Sequence, residues 1–279
     1  MMERIAVVTG ATSGIGKVTA RELARQGFRV VLVARDAEKA ARTASEIAVA
    51  APGAKVETLL CDMTSQKQIR AAAEELKRRH DRIDVLVNNA GGVWVKREVT
   101  EDGLERTFAV DHLGYFLLTN LLLRELRRGA PSRVVNVASE AAKLGRIDFD
   151  DLQGERRYRG GLAYAQAKLA NILFSSELAR RVAGSGVTSN ALHPGAVASG
   201  FALNNTGLVR FGMKLVRPFL IDEEKGARTS IYLASSPEVE GVTGEYFVKN
   251  RPKKPPRNGR DPEVARRLWD VSARLTGLA

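Results

Sequence analysis

Seven short apolar runs alternate with helical segments along the whole chain, and this alternation constrains the fold more than any other feature. Most of the runs are continuously apolar, which is typical of strands buried on both faces of a parallel sheet. The predicted strands are Ile5–Thr9, Arg29–Ala34, Val56–Cys61, Asp84–Asn88, Arg133–Ala138, Val187–His193 and Gly244–Val248.

Helical patterns occupy the intervals between the predicted strands. They are Gly14–Gln26, Ala37–Val49, Ser65–Arg79, Glu101–Arg128, Leu162–Ala183 and Glu223–Ser235, and a last one ends near Leu275. Right-handed crossovers wind such helices onto both faces of one sheet. Because no repeat of fixed period and no Gly/Ser-rich linker divides the sequence, we predict a single doubly wound α/β domain over residues 1–279.

The composition is that of a folded protein without structural disulfides. Of the 279 residues 44% are hydrophobic, which excludes wholesale disorder, and the single Cys61 excludes a disulfide framework or a Cys-rich zinc site. No apolar run approaches the ~18–20 residues of a membrane span. Met1 leads almost at once into the first strand. We therefore expect no signal peptide and no transmembrane anchor, and we predict a cytoplasmic location.

Half of the net charge of +12 lies between Lys249 and Arg260, within one basic, Pro-rich segment, residues 249–262. Between Lys249 and Arg260 it has six Lys or Arg, three Pro and no acid. It also lacks the aromatic residues on which a single-stranded nucleic acid would stack. We expect a solvated surface and no nucleic-acid partner, with contact to an anionic surface as the alternative.

A glycine-rich turn follows the first predicted strand and leads into a helix, in the sequence Thr9-Gly10-Ala11-Thr12-Ser13-Gly14-Ile15-Gly16. Glycines let a backbone turn tightly and approach a ligand closely, and a helix N-terminus offers amides to a pyrophosphate. A structural turn would use the same residues, but the position in the first strand–helix unit favours a dinucleotide site. The candidate cofactor contacts in this turn are Gly10, Ser13, Gly14, Ile15 and Gly16.

The residue after the second strand discriminates between the two nicotinamide dinucleotides. An NAD site uses an acid there to bind the ribose 2′-hydroxyl, whereas this sequence has Ala34 followed by Arg35. A guanidinium can hold a 2′-phosphate bidentately and stack on adenine. We therefore expect NADP(H), the alternative being a surface Arg35 paired with Asp36.

The third and fourth strands end in residues that suit the rest of a dinucleotide. Asp62 and Met63 match the edge and the face of an adenine, although Asp62 could equally cap the next helix. The fourth strand ends in Asn88-Asn89-Ala90-Gly91-Gly92, whose small residues let a ribose approach. The candidate contacts there are Asn89, Ala90 and Gly91.

Residues suited to proton transfer follow the fifth strand. That strand leads into Ser139, and Tyr164 and Lys168 follow on a helical pattern. A spacing of four places Tyr164 and Lys168 on one face of a helix. A nearby ammonium stabilises tyrosinate and lowers the phenol pKa, which makes Tyr164 a usable acid and base, while Ser139 orients the substrate oxygen.

The sixth strand ends in Leu192-His193-Pro194-Gly195-Ala196-Val197-Ala198-Ser199, where the proline and glycine can place backbone groups against a nicotinamide carboxamide. The candidate cofactor contacts are Pro194, Gly195, Val197 and Ser199. His193, before a proline, is expected to be structural. Because His80 and His112 have no acid or Cys partner at metal-ligand spacing, we predict no metal site.

Residues 196–221 interrupt the alternation with a stretch rich in apolar residues. We expect this stretch to be a lid that closes over an apolar substrate. A peripheral membrane contact is the alternative, because Arg210, Lys214 and Arg217 accompany the apolar residues.

Taken together, these motifs resemble the short-chain dehydrogenase/reductase superfamily over essentially the whole chain. The residues that carry the resemblance are Thr-Gly-x-x-x-Gly-x-Gly at 9–16, Asn-Asn-Ala-Gly at 88–91, Ser139, Tyr164-x-x-x-Lys168 and Pro194-Gly195. Longer stretches, at 111–119, 144–147, 151–155, 168–174 and 266–272, resemble the retinol dehydrogenase branch. The resemblance implies a Rossmann fold with a seven-stranded parallel sheet flanked by helices. It agrees with NADP(H), because that branch has Arg at the position of Arg35.

The resemblance also implies a catalytic tetrad of Asn, Ser, Tyr and Lys. By position, Ser139 polarises the substrate oxygen, Tyr164 transfers the proton, and Lys168 lowers the pKa of Tyr164 and holds the nicotinamide ribose. The sequence departs from this pattern at the Asn, where it has Asp111. If the family Asn acts through its backbone carbonyl, Asp111 can replace it. If it acts through its side chain, the proton relay is altered.

We therefore expect an NADP(H)-dependent oxidoreductase that interconverts a carbonyl and an alcohol on a small, fairly apolar substrate. The alternative is a non-catalytic dinucleotide-binding or scaffold protein on the same fold, which the presence of Ser139, Tyr164 and Lys168 disfavours. Enzymes of this kind pair through the helices that carry the residues corresponding to Asp111 and Tyr164. The resemblance therefore implies a homo-oligomer, either a dimer or a tetramer.

Overall fold

The computed structural model describes residues 3–195 and 222–279. The predicted lid at 196–221 lies outside the described residues. So do two of the candidate cofactor contacts, Val197 and Ser199.

An eight-stranded sheet forms the centre of the fold, in the order β3-β2-β1-β4-β5-β6-β7-β8. Strands β1 to β7 are all parallel. They are β1 Ile5–Thr9, β2 Arg29–Ala34, β3 Val56–Leu60, β4 Val85–Asn88, β5 Ser132–Val137, β6 Val187–His193 and β7 Tyr246–Val248. The strand order reverses between β1 and β4, and the carboxyl edge of an open sheet binds ligands at such a reversal.

The predicted strand number of seven is wrong by one. An eighth strand, β8 (Arg251–Pro252), pairs antiparallel with β7 at the edge of the sheet. It forms because Lys249 and Asn250 both have positive φ, 52° and 61°, and so close a two-residue hairpin. Positive φ at both positions suits the right-handed twist of the paired strands. The sequence signal is weak, since this turn lacks glycine and Pro252 has no N–H for a ladder.

Nine helices flank the sheet in the described part of the chain. They are α1 Gly14–Arg25, α2 Ala37–Ala50, α3 Gln66–Arg79, α4 Arg106–Phe108, α5 Gly114–Leu121, α6 Leu123–Arg128, α7 Gly160–Arg181, α8 Glu223–Ser235 and α9 Pro262–Leu275. Successive strand residues belong to opposite cores: Val7 packs in the cluster with residues of α3, α5 and α7, and Val8 in the cluster with residues of α1, α2 and α8. Because both faces are covered, the strands are continuously apolar.

The predicted helix Glu101–Arg128 is wrong in its first part. Residues 101–105 form a turn with Gly103 at a φ of 74°, and the helix begins only after Glu105, whose carboxylate accepts from two N–H groups of the first turn. The helix then widens into one π-helical turn, Ala109–Leu113, before α5. Such turns are frequent at functional sites, and this one carries Asp111.

Helix α9 packs across α5 and α7. The ring of Trp269 lies 4.8 Å from that of Phe116 and 5.8 Å from that of Phe174, measured between centroids. A polar contact accompanies these rings, since Oγ of Ser272 lies 2.9 Å from Nε2 of His112 in the π-helical turn. The C-terminal helix is therefore joined to the element that carries Asp111.

Candidate active site

A cleft of about 990 Å³ opens at the carboxyl edge of the sheet. Its volume is at the upper end of the range for small-molecule and cofactor sites. Most of the candidate residues lie in its walls, namely Gly10, Ser13, Gly14, Ile15, Arg35, Asp62, Met63, Asn89, Ala90, Gly91, Ser139, Tyr164, Lys168, Pro194 and Gly195. The structure thus brings the ends of six strands together around one space.

The turn after β1 is shaped to receive an anion. Gly10 and Gly14 have φ values of 64° and 56°, in the region that favours glycine. Ser13 precedes α1 in an extended conformation and its side chain makes no capping hydrogen bond. Ser13 thus leaves the first amides of α1 without a capping side chain, and together with the helix dipole these amides can bind a phosphate.

Gly16 shapes this turn rather than lining the cleft. A Cβ at Gly16 would lie 2.4 Å from the carbonyl oxygen of Gly10 and 2.4 Å from Nδ2 of Asn89. Any side chain would therefore push α1 away from the turn and from the end of β4. Its contribution is close packing, which keeps the turn in place.

Arg35 is exposed in the wall of the cleft and makes no ion pair with the described part of the chain. The alternative pairing with Asp36 is wrong. Asp36 caps α2 by accepting from the N–H of Lys39 at 3.0 Å, and its other oxygen lies 3.2 Å from the Lys39 ammonium. Lys39 and Arg42 follow Arg35 at helical spacing in the same wall, so this end of the cleft is cationic.

Asp62 and Asn89 brace the cleft through local hydrogen bonds. One oxygen of Asp62 accepts from the N–H and the hydroxyl of Thr64, both at 2.9 Å, and Ser65 is the residue that caps α3. The capping alternative for Asp62 is therefore wrong. The side-chain amide of Asn89 donates to the carbonyl of Thr9 at 2.9 Å and so joins the ends of β1 and β4.

The opposite end of the cleft holds the residues suited to proton transfer. Tyr164 and Lys168 lie one turn apart on α7, and Ser139 is hydrogen-bonded to the Tyr164 hydroxyl. Lys168 is only 2% exposed, and its ammonium lies 5.6 Å from the centre of the Tyr164 ring. It donates to the carbonyl of Val137 at 3.3 Å.

Asp111 lies behind the wall of the cleft, completely buried. One carboxylate oxygen accepts from the N–H of Gly92 at 2.8 Å, and the other lies 3.5 Å from the Lys168 ammonium. A Cβ at Gly91 would stand 2.7 Å from the Asp111 carboxylate and 3.2 Å from that ammonium. Gly91 is therefore required because the buried ion pair fills the space beside it.

Burial shifts the pKa of each member of this group. It raises the pKa of Asp111 to about 6 despite the attraction of Lys168, and it lowers the pKa of Lys168 against the opposing pull of Asp111. Burial and the Asp111 carboxylate together raise the pKa of Tyr164, and the hydrogen bond from Ser139 opposes them. This differs from the expectation that Lys168 lowers the pKa of Tyr164. The reason is that the lysine charge is already paired with Asp111.

His193 and several backbone groups hold other parts of the site in place and are not themselves reactive. Nδ1 of His193 accepts from the N–H of Glu140 at 3.1 Å, as expected for a structural histidine. Sequence reasoning missed Gly92 and Val137, which hold Asp111 and Lys168 through backbone groups that no residue type marks. The helical spacing after Arg35 could have identified Lys39 and Arg42.

Two further features bear on function in the part of the chain that the structure describes. No group of three or more His, Cys, Asp or Glu side chains is arranged to hold a metal ion there. Within the same residues, no helix combines the length and the apolar character needed to cross a bilayer.

Comparison with known proteins identifies similar families and folds. A family model described as short chain dehydrogenase matches residues 4–208. Human retinol dehydrogenase 11 is 44% identical over 275 residues, covering 99% of this chain and 86% of the relative. Human retinol dehydrogenase 13 is 45% identical over 282 residues, covering 98% and 84%, and mouse retinol dehydrogenase 12 is 42% identical over 275 residues, covering 99% and 87%.

Solved structures with the same fold cover most of the chain. An uncharacterised protein from Mycobacterium paratuberculosis superposes with a TM-score of 0.79 at 35% identity, covering 98% of this chain and 93% of its own. A protein from Beutenbergia cavernae, described as an NAD(P)-dependent gluconate 5-dehydrogenase with NADP bound, gives 0.70 at 29% identity and covers 88% and 94%.

Proposed function

This chain belongs to the short-chain dehydrogenase family of oxidoreductases, which act on alcohol and carbonyl groups, and we propose that its cofactor is NADP(H) and its substrate a small, fairly apolar molecule. One observation carries the proposal. The Ser139–Tyr164–Lys168 group and the cationic wall around Arg35 lie at opposite ends of the same cleft. The turn after β1 would hold the phosphates of a dinucleotide, and Tyr164 and Lys168 would hold its nicotinamide end.

The residues present fit a dinucleotide phosphate. The turn with Gly10 and Gly14 offers helix N-terminal amides to the pyrophosphate. Arg35 makes no ion pair with the described residues, so its guanidinium is available to a 2′-phosphate. Asp36, the nearest acid, is held by Lys39. These features favour NADP(H) over NAD(H), as does the NADP bound to the relative from Beutenbergia cavernae.

The chain's own residues manage the proton. When bound, the nicotinamide supplies the hydride to the carbonyl carbon in reduction, or accepts it in oxidation. Tyr164 donates its phenolic proton to the carbonyl oxygen as the C–H bond forms, and it takes that proton back in the reverse direction. Ser139, which bonds the same hydroxyl in the absence of substrate, would turn its one proton to the substrate oxygen and fix the position of that oxygen. Lys168 provides positive charge behind the phenol.

Asp111 biases this arrangement toward reduction. Its buried carboxylate neutralises part of the Lys168 charge and raises the pKa of Tyr164, so a tyrosinate costs more to form. Reduction starts from the protonated phenol, which this environment favours. Oxidation starts from the tyrosinate, which it opposes.

The substrate class follows from the cleft and from the relatives. The wall of the cleft that holds Tyr164 also includes Trp94, Val137 and Ala138, which offer apolar contact to a substrate. Relatives at 42–45% identity are named retinol dehydrogenases. We therefore propose an apolar alcohol or aldehyde of the retinoid kind.

Location and assembly complete the proposal. We propose a cytoplasmic protein without a nucleic-acid partner, and a homo-oligomer in which copies pair through α5 and α7. Part of the surface of these helices is already occupied, since Trp269 packs against Phe116 and Phe174. Pairing must use the remainder of that surface. Sedimentation analysis at several concentrations measures the assembly directly.

The deciding experiment is NADPH consumption, followed by absorbance, across a panel of carbonyl compounds. The panel contains retinal, a long-chain aldehyde, a short aldehyde and a sugar ketone, each tested with NADPH and with NADH. We expect turnover with NADPH on the apolar aldehydes, and a rate lower by ~10²–10⁴-fold in the Tyr164→Phe variant. Tight NADPH binding without turnover on any carbonyl would instead favour the non-catalytic alternative.

A further inference from the structure

His112 is a buried titratable group that the proposed chemistry does not use. It is completely buried and stands next to Asp111 in the π-helical turn. Burial lowers the pKa of His112 to about 3, although a hydrogen bond with Asn171 opposes this. The imidazole is therefore neutral near pH 7, with one nitrogen that donates and one that accepts.

A chain of polar contacts leads from His112 to the catalytic lysine. Nδ1 of His112 and Oδ1 of Asn171 are both buried, and neither has a partner at ordinary hydrogen-bond geometry among the described residues. The two atoms are complementary as donor and acceptor, and the contact with Asn171 acts on the pKa of His112. The amide of Asn171 donates from Nδ2 to the carbonyl of Val137 at 3.2 Å. That carbonyl also accepts from the Lys168 ammonium at 3.3 Å.

The same chain continues outward to the C-terminal helix. Nε2 of His112 lies 2.9 Å from the hydroxyl of Ser272 on α9. Because Asn171 uses its N–H₂ group on Val137, its oxygen faces the imidazole, and Nδ1 must carry the proton. Nε2 is then an acceptor, and the Ser272 hydroxyl must donate to it. The donor and the acceptor of each hydrogen bond in this series are thus determined by the neighbouring hydrogen bond.

We propose that Ser272, His112 and Asn171 are positioning residues that hold the Val137 carbonyl as an acceptor for Lys168, so that helix α9 is part of the active site. The proposal rests on the role that the proposed function gives to Lys168. Buried polar groups have few alternative partners, so loss of one member leaves the next unpaired.

The physical consequence is a change in the proton affinity of the lysine–tyrosine pair. The Lys168 ammonium faces Asp111 on the π-helical turn, the ring of Tyr115 on α5 and Tyr164 on its own helix, and it donates to Val137. Without the hydroxyl of Ser272, Nε2 of His112 is buried without a donor. The tautomer with the proton on Nδ1 is then favoured only from the Asn171 side, and the amide of Asn171 can turn over. The ammonium then has a less well-placed acceptor, and the pair loses its first proton at lower pH.

A kinetic comparison tests this role. In Ser272→Ala we expect kcat for carbonyl reduction to fall about three- to tenfold, the size of one lost hydrogen bond, with the KM for NADPH within about twofold. The alkaline limb of the pH profile of kcat should move to lower pH by about half a unit or more.

Two control variants accompany this comparison. Ser272→Thr keeps the hydroxyl and should restore the profile. Ser235→Ala removes a hydroxyl bonded only to the carbonyl of Ile231 in α8 and should change nothing.

The result that contradicts the proposal is a lower melting temperature in Ser272→Ala with an unchanged pH profile and an unchanged kcat. That outcome would make the serine a packing residue. Ser272→Thr with the kinetics of Ser272→Ala would contradict the proposal as well, provided that its melting temperature equals that of the unmodified protein.

A second measurement does not depend on turnover. The ¹⁵N chemical shifts of the imidazole rings report the tautomer, and the chain has only three histidines to assign. We expect His112 to carry its proton on Nδ1 from pH 5 to 9. A proton on Nε2 would reverse the chain of hydrogen bonds and overturn the proposal. If no carbonyl is reduced, the proposed function fails, yet the tautomer still decides whether the hydrogen-bond chain exists.

Discussion

The two ends of the cleft place their charges in opposite environments. At the cofactor end, Arg35, Lys39 and Arg42 are exposed to water, and the acids nearby are paired at the surface. At the reaction end, Asp111 and Lys168 form an ion pair from which water is excluded. Exposed charges interact weakly and are screened by salt, whereas buried charges change the proton affinity of their neighbours.

This difference predicts what each end controls. Arg35 would select the cofactor through direct contact with a 2′-phosphate, whereas Lys39 and Arg42 would add modest, salt-dependent attraction. The buried pair controls the chemical step through the pKa of Tyr164, so a single substitution there has a large effect. The variants below test this contrast, beginning with the largest expected effect.

Tyr164→Phe should reduce turnover by ~10²–10⁴-fold, because it deletes the proton donor. NADPH binding, measured by fluorescence titration, should remain nearly unchanged. Tyr232→Phe, on α8, is the matched control and should behave like the unmodified protein. More than about a hundredth of the original rate in Tyr164→Phe would contradict its role as the general acid.

Arg35→Asp should reverse the cofactor preference, because it removes the phosphate-binding cation and supplies an acceptor for a ribose hydroxyl. We expect the ratio of kcat/KM for NADPH to that for NADH to fall by about 100-fold or more, the size of a lost charge-assisted contact. Arg35→Ala removes only the cation and should lie in between. Equal kcat/KM for both cofactors in the unmodified protein would sink the assignment.

Asp111→Asn should raise the rate of alcohol oxidation and move its pH optimum downward by about one unit, because the carboxylate no longer opposes tyrosinate. Carbonyl reduction at neutral pH should change less. Since the pKa of Asp111 is raised to about 6, its carboxyl is protonated at lower pH and then resembles the amide. The oxidation rates of the Asp111→Asn variant and the unmodified protein should therefore approach each other below that pH and differ above it.

The oxidative pH–rate profiles of both proteins decide this point. Superimposable profiles across the whole range would mean that only the backbone at position 111 matters. The electrostatic account of Asp111 would then be wrong.

Arg42→Ala should have the smallest effect, a two- to threefold rise in the KM for NADPH at low salt, as expected of one exposed charge. The rise should shrink as ionic strength increases, because salt screens exposed charges. Arg78→Ala removes a charge of the same sign that pairs with Glu75 on α3, outside the cleft, and serves as the control. An equal rise in both variants would assign the effect to net charge rather than to position.

Buried strands and side chains with a characteristic spacing were predictable from the sequence. Strand β2 is one example, because a continuous apolar run indicates a strand buried on both faces of a sheet. Tyr164 and Lys168 are another, because a spacing of four places two side chains on one face of a helix. The availability of Arg35 was not, since the adjacent Asp36 was an alternative partner for it; in the structure Asp36 instead caps α2 by accepting from Lys39.

Features that depend on the backbone escaped prediction. The π-helical turn around Asp111 inserts one residue into a pattern that otherwise looks helical from end to end. The carbonyl of Val137 and the N–H of Gly92 hold the reactive charges, yet every residue has such groups. Their placement follows from how three elements meet in space, which local sequence does not encode.

The antiparallel strand β8 bears on how the molecule behaves in concentrated solution. An exposed sheet edge offers unpaired N–H and C=O groups to a strand from another copy, which is a route to aggregation. Here the edge strand is two residues long, includes Pro252 without an N–H, and leads into Lys253 and Lys254. A second copy would find few donors and would have to bring two basic segments together. The basic segment thereby disfavours pairing of two copies through the β8 edge of the sheet.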